Sequence, residues 1–238
     1  MKKILSRLRC AVDNYNMIDE NDKIAVGVSG GKDSLVALLA MKTLQRFYPK
    51  KFEVEAFTID LGFPDMDYSP IVKLCEEMQI PYTVEKTDIK EIVFDIRKEE
   101  NPCSLCAKMR RGAMCAAVKE RGIEKIVYGH HFDDVLNTYF LSLVYEGRMN
   151  TFSPVTYLER MGVTVLRPFI YVEESEIRKY AQKNNLPVVK NSCPADKNTK
   201  RQYAHDLVWQ LERENHGFRN RLFTAIENSD IPGWKKHN

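Results

Sequence analysis

Apolar residues fall at helical spacing over residues 1–17, where Ile4, Leu5, Leu8 and Val12 mark a short amphipathic lead-in helix. The period then changes. Lys23–Val28 (KIAVGV) is a compact apolar run that predicts a buried strand. Ser34–Phe47, rich in Leu, Ala and Met, predicts a helix that starts directly after a glycine-containing loop. Phe52–Ile59 alternates as a strand does and ends at Asp60. LGFPDMDYSP reads as a loop, and Pro70–Met78 as a helix with Ser69 as its cap. Pro81–Thr87, Lys125–Tyr128 and Val163–Arg167 predict further strands; Ala107–Arg121, Asp133–Tyr145 and Glu173–Lys183 predict helices. Strands alternating with helices build βαβ units. The expected fold is α/β: a Rossmann-like parallel sheet of five strands with helices on both faces, followed by a short helical C-terminal extension. The pattern divides into an N-terminal helix (1–20), the α/β domain (21–190) and the extension (191–238), where Leu207, Leu211, Phe218 and Leu222 are available for docking.

Composition changes this picture little. Apolar residues make up 44% and charged residues 29% of 238, ordinary values for a globular chain, so disorder is excluded as a general reading. The formal net charge of +3 sets up no global field for nucleic acid, but basic residues cluster locally. Lys2, Lys3, Arg7 and Arg9 meet no acid in the first nine residues, and 107–125 holds Lys108, Arg110, Arg111, Lys119, Arg121 and Lys125 against Glu120 and Glu124. Such patches either contact phosphates or form solvated helix faces. MKKILSRLRC begins like a signal peptide but lacks its apolar stretch, and no run of about 18 apolar residues appears. The expectation is a cytoplasmic protein with no membrane segment. Its six cysteines then read as thiols or metal ligands, not as a disulfide framework.

The strongest chemical signal is the order strand, Ser29-Gly30-Gly31-Lys32-Asp33-Ser34, helix. Glycines let backbone N–H groups approach an anion, the helix N-terminus adds partial positive charge, and Lys32 adds a full one. The hydroxyls of Ser29 and Ser34 add donors, so the loop suits polyphosphate. It is not the Gly-x-x-x-x-Gly-Lys-Ser/Thr loop, because Val26 stands at the first glycine and Asp33 follows the lysine, and it is not Gly-x-Gly-x-x-Gly either. A carboxylate next to a phosphate-binding lysine repels phosphate unless a cation intervenes, which implies Mg²⁺ held partly by Asp33.

Cys103-Ser-Leu-Cys106 opens a helix rich in Arg and Lys, and a helix start with nearby arginines is expected to lower thiol pKa values. Redox dithiol, zinc and Fe–S readings compete for such a pair. A metal reading needs a third ligand from afar. Cys193, in the polar context Asn191-Ser192-Cys193-Pro194, is the best candidate, whereas Cys10, Cys75 and Cys115 lie in apolar-periodic helices and are expected to pack as small hydrophobes. After the fourth strand come His130, His131, Asp133 and Asp134; a histidine there can move a proton, and either aspartate can instead cap the helix.

The loop resembles that of the PP-loop ATP pyrophosphatases. Together with Cys-Ser-Leu-Cys-Ala-Lys-Met-Arg-Arg-Gly, Gly129-His130-His131-Phe132-Asp133-Asp134, and Leu166-Arg167-Pro168 followed by a late cysteine, the chain over about 20–205 is similar to the tRNA 2-thiocytidine synthetase group. Two features depart from that group: less sequence precedes the loop, and the third cysteine sits in Ser-Cys-Pro instead of a second Cys-x-x-Cys-like pair. The resemblance implies ATP on residues 29–34, with Asp60 lining the site and Gly129 and His130 bordering it. It implies Lys32, Asp33, Asp60 and Asp133 as catalytic residues, and a [4Fe-4S] cluster on Cys103, Cys106 and Cys193. It further implies tRNA as substrate, contacted by Arg110, Arg111 and Arg167, a sulfur donor (cysteine desulfurase or free sulfide), and a homodimer. The expected reaction is adenylation of C2 of a tRNA pyrimidine, cytidine foremost, and replacement of its oxygen by sulfur. The alternatives are a cluster-free PP-loop ligase or amidotransferase, a zinc-stabilised thiolase, an Fe–S enzyme that removes sulfur from thiolated bases, or a non-catalytic nucleotide- or tRNA-binding homologue.

Overall fold

A computed structural model describes residues 1–98, 102–189, 193 and 199–235. Six strands form one sheet: β1 (Asp22–Gly27), β2 (Phe52–Asp60), β3 (Tyr82–Lys86), β4 (Lys125–Val127), β5 (Val155–Leu158) and β6 (Val163–Leu166), in the order β3-β2-β1-β4-β6-β5. All neighbours are parallel except β5, which runs antiparallel to β6 at the edge. The expected five parallel strands are present, and β5 is added to them. Its four residues are mostly half-buried, so they lack the alternation that would mark a strand.

The period-2 pattern divides the strands between two cores. Ile24 and Val26 of β1, Phe52, Val54 and Ala56 of β2, Val127 and Leu166 face the larger core; Ala25, Phe57, Ile59, Ile126 and Val163 face the smaller one. Helices α1 (Lys2–Asn14), α2 (Lys32–Leu44), α3 (Ser69–Glu77), α5 (Phe132–Glu146) and α6 (Glu174–Lys183) pack into the first. The second is covered by α4 (Pro102–Glu120) and by a six-residue π-helix, Glu91–Ile96, that the apolar pattern does not announce. Helix α2 has nine buried residues and little amphipathic bias, because it is wedged between β1, α1 and α6. Full burial of each large aliphatic side chain there contributes about 1.5–3 kcal/mol.

The C-terminal extension is α7 (Thr199–Glu214) and α8 (Phe218–Glu227), both packed on α5. Leu207, Leu211, Phe218 and Leu222 dock on the larger core. Trp234 is wholly buried, edge-on to Tyr15 and Phe223. Two local expectations are corrected. Ser69 is the first residue of α3 and no cap: its N–H donates to Asp67 Oδ1 at 2.8 Å, so Asp67 closes that turn. Cys75 and Cys115 are buried as expected, but Cys10 is exposed on the outer side of α1. Among the described residues no helix is long and apolar enough to cross a membrane.

From β1 the chain goes to β2 and β3 on one side, then crosses back to β4 on the other. The crevice at the carboxyl ends of β1 and β4 is therefore the topological switch point, where open α/β sheets bind ligands.

Candidate nucleotide and thiol site

The loop at that crevice is tied together by one hydroxyl. Ser34 Oγ donates to the Gly31 carbonyl (2.9 Å) and accepts from the Ser29 N–H (3.1 Å), with Ser29 Oγ at 3.3 Å. Gly30 has φ +85°, and a Cβ there would lie 2.9 Å from Val189 Cβ, so glycine is required twice over. Gly31 is different: its φ is −74° and a Cβ would meet nothing closer than Ser29 Oγ at 3.5 Å. Among the described residues nothing requires glycine at 31, and the space it leaves opens into a cleft of about 570 Å³ lined by Gly31, Lys32, Asp33, Arg178, Gln182 and Leu186 among others. Helix α2 begins at this point with no side-chain cap among the described residues, the condition in which a helix start can take up an anion. Gly129, after β4, comes so close that a Cβ would sit 2.8 Å from the Asp33 carbonyl oxygen; its smallness seats β4 against the start of α2.

Asp33 Oδ2 pairs with Lys32 Nζ (3.1 Å), while its Oδ1 is buried and makes no hydrogen bond among the described residues. His131 Nε2 lies 3.8 Å from that oxygen and 3.5 Å from Asp134 Oδ2. Of the two histidines, His131 thus faces the loop. His130 turns instead toward the rings of Tyr128 and Phe152, where burial drives its pKa down to about 4 and keeps the ring neutral. Asp60 ends β2 and caps its own turn, accepting the Gly62 N–H at 3.1 Å.

Asp133 and Arg167 stand in structural networks. Asp133 pairs with Arg219 of α8 and accepts the Glu174 N–H at 2.8 Å, so it ties α5, α6 and α8 together; the expected catalytic carboxylate is committed to a buried ion pair. Arg219 stacks between Trp209 and Phe132. Asp134 takes the capping role, accepting the His131 N–H at 3.1 Å. Arg167, expected at tRNA, donates to the Ser153 carbonyl (2.6 Å) and to Thr156 Oγ1 (2.9 Å) and lies over Phe152. Burial lowers its pKa to about 10. It is an edge brace for β5 and not a surface contact.

The sequence alone does not mark Glu174 and Arg178. Glu174 Oε1 accepts from Lys32 Nζ at 3.0 Å and from Arg178 Nη2 at 2.8 Å. Burial opposes its charge, yet Arg178 and Lys32 hold its pKa at about 2. The Lys32 pKa is raised: burial works against it, and Asp33 and Glu174 more than offset that. The i,i+4 Glu-Arg spacing on α6 was the available signal, but it is common on helices and names no ligand.

Cys103 is exposed at the start of α4, and Cys106 and Cys193 are half-buried. The Cys106 thiol is pushed up by burial, pulled down by Arg110, and raised again by Cys193 and Cys103. This reverses the expected lowering at Cys106. Among the described residues no three His, Cys, Asp or Glu side chains are already arranged to hold a metal ion. Asn101, Asn191, Ser192 and Pro194 of the cysteine motifs, and the expected boundary at 190–191, lie outside the described residues. Val189 N–H donates to the Gly30 carbonyl of the phosphate loop at 3.0 Å. Arg110 and Arg111 are exposed on α4.

A PP-loop domain model matches residues 2–211. The tRNA-cytidine(32) 2-sulfurtransferase of Geobacter metallireducens is 35% identical over 230 residues, covering 95% of this chain and 90% of its own length. The protein of that name from Shewanella amazonensis is 33% identical, with 96% of this chain and 74% of the relative covered. Among solved structures, the U34-tRNA thiolase NcsA from Methanococcus maripaludis with its [4Fe-4S] cluster superposes with a TM-score of 0.78 at 24% identity, over 96% of this chain and 79% of that one. The NH3-dependent NAD synthetase of Campylobacter jejuni superposes less closely, at 0.51 and 17% identity, over 95% of this chain and 91% of that one. These two are likenesses of fold. Matched from its first helix into α7 by the PP-loop domain, and over nearly its whole length by these sulfurtransferases, the chain belongs to the PP-loop family and, within it, to the tRNA-cytidine 2-sulfurtransferase group.

Proposed function

We propose that this chain is a tRNA sulfurtransferase that uses ATP to adenylate the C2 oxygen of a pyrimidine, cytidine foremost, and replaces that oxygen by sulfur. The observation that carries the reading is the phosphate loop at the switch point: Ser34 closes it, α2 starts directly from it, and Val189, four positions before Cys193 in sequence, is hydrogen-bonded to its Gly30. In this reading the chemistry of ATP cleavage and that of the thiols act on one bound base.

In this reading the pyrophosphate of ATP lies on the first-turn amides of α2 and on Lys32. The buried, unpartnered Asp33 Oδ1 fits a hydrated Mg²⁺, which binds through one or two carboxylates plus phosphates. A tRNA presents the target base unstacked, because its ring atoms are out of reach in a helix. Arg110 and Arg111 meet its phosphates and leave Cys106 within reach of the base. The C2 oxygen attacks the α-phosphorus, and the bond to the pyrophosphate oxygen breaks. Lys32 and the loop amides stabilise the leaving charge. Sulfide then adds to C2, the C2–O bond breaks to release AMP, and the sulfide proton is lost to solvent. Three thiols of which one feels both others are a donor set suited to a [4Fe-4S] cluster on Cys103, Cys106 and Cys193. When bound, such a cluster supplies an iron site without a protein ligand, open to sulfide. Cysteines read as thiols or metal ligands and a tRNA substrate suit a reducing cytoplasm, with sulfur from a cysteine desulfurase or free sulfide.

The test is anaerobic purification with iron and acid-labile sulfide quantified, alongside ATP–pyrophosphate exchange and nucleoside mass spectrometry with tRNA. About four irons per chain, broad visible absorption lost in Cys193→Ala, and ATP-dependent 2-thiopyrimidine in tRNA are expected. Zinc or no metal under those conditions would sink the cluster and leave adenylation to be tested by the exchange alone.

A further inference from the structure

Lys32 Nζ and Arg178 Nη2 converge on a single atom, Glu174 Oε1, at 3.0 and 2.8 Å. Two cations sharing one anionic oxygen at these distances reproduce what a phosphate oxygen receives in a charge-assisted site. Arg178 also lines the cleft that opens from Gly31. Its side chain is 57% exposed, so it is free to turn toward that cleft. Resting on the ATP reading above, we propose that Arg178 is a second cation of the pyrophosphate subsite, and that Glu174 is a positioning residue whose carboxylate oxygen holds both cations in place until a phosphate oxygen takes over. A polyphosphate offers several anionic oxygens against one carboxylate and has the α2 amides besides, so it displaces Glu174 from Lys32. Arg178 and Glu174 also line a second cleft of about 430 Å³ between α6 and α7, with Arg213 and His205 on its wall. The carboxylate therefore has room to move when released.

This assigns opposite effects to neighbouring residues, which ordinary surface pairing would not produce. The experiment is calorimetric titration of inorganic pyrophosphate, ATP and AMP, each with Mg²⁺, into the full chain and its Lys32→Ala, Arg178→Ala, Arg178→Lys and Glu174→Gln variants. Arg178→Ala should weaken pyrophosphate and ATP about tenfold or more, the value of one lost charge-assisted hydrogen bond, and leave AMP unchanged. Arg178→Lys should recover part of the loss. Glu174→Gln should bind pyrophosphate more tightly than wild type, because the competing anion is gone. If Arg178→Ala binds pyrophosphate like wild type while Lys32→Ala does not, the inference falls and the loop reading stands. If Arg178→Ala weakens AMP as much as pyrophosphate, Arg178 is merely structural and the inference again falls. If wild type binds neither pyrophosphate nor ATP, the ATP reading falls with it.

Discussion

The phosphate loop is six consecutive residues, whereas the thiols come from positions 103, 106 and 193. The first is finished by local bonds: Ser34 closes the turn, Gly30 supplies the positive φ, and α2 begins at once. The second depends on tertiary placement, because α4 carries two thiols and the third comes from a position far along the chain. Their electrostatics differ as well. Lys32 sits between Asp33 and Glu174, which hold its charge, while burial and the other two thiols raise the Cys106 pKa. A site assembled from one local and one distant half should be separable by mutation, and most vulnerable where the halves are joined.

The largest separation is expected for Cys106→Ala, which should abolish thiolation and iron retention while tRNA-dependent ATP–pyrophosphate exchange continues. Loss of exchange in that variant would mean that the halves do not act independently. Lys32→Ala should do the reverse, lowering exchange by about 10²–10³-fold, the usual cost of removing one donor to developing charge, with iron content unchanged. Arg219→Ala should cost about 3–5 kcal/mol of stability by stranding buried Asp133, with a matching fall in the chemical unfolding midpoint; a neutral result would show that Asp133 is free for another role. Gly30→Ala tests the joint. It should cost about 1–3 kcal/mol through its positive φ and press on Val189, reducing exchange and iron retention together. The smallest effect concerns pH. His130 has a folded pKa of about 4 against an ordinary 6.5, so its contribution to stability is complete above 6.5 and is lost as pH falls toward 4. His130→Phe should flatten that decline in thermal melts between pH 6.5 and 4.5, above the range where Glu174 begins to titrate.

What could be read from the chain follows the same division. Five strands were legible because each is a short apolar or alternating stretch set between helical patterns, and the loop was legible because all its parts are contiguous. Strand β5 was hidden by its length and half-exposure, and the π-helix Glu91–Ile96 by a mixed pattern that fits neither standard period. The two histidines were visible, but which one faces Asp33 depends on how the chain leaves β4. The Asp133–Arg219 pair joins residues 86 positions apart and has no local signature. Arg167 reads equally well as a phosphate contact or as a brace, and only the carbonyl of Ser153 decides between them.

The antiparallel strand β5 bears on how the molecule avoids sticking to itself. A parallel sheet that ended on β6 would present Val163–Leu166, a strand buried at three of its four positions, as an open edge. Strand β5 covers it with four residues, too short to template another chain, and Tyr157 stands exposed at its centre. The opposite edge, β3, ends in Glu85 and Lys86, which lie opposite Ile59 and Asp60 of β2. Both borders of the sheet are therefore poor seeds for strand addition.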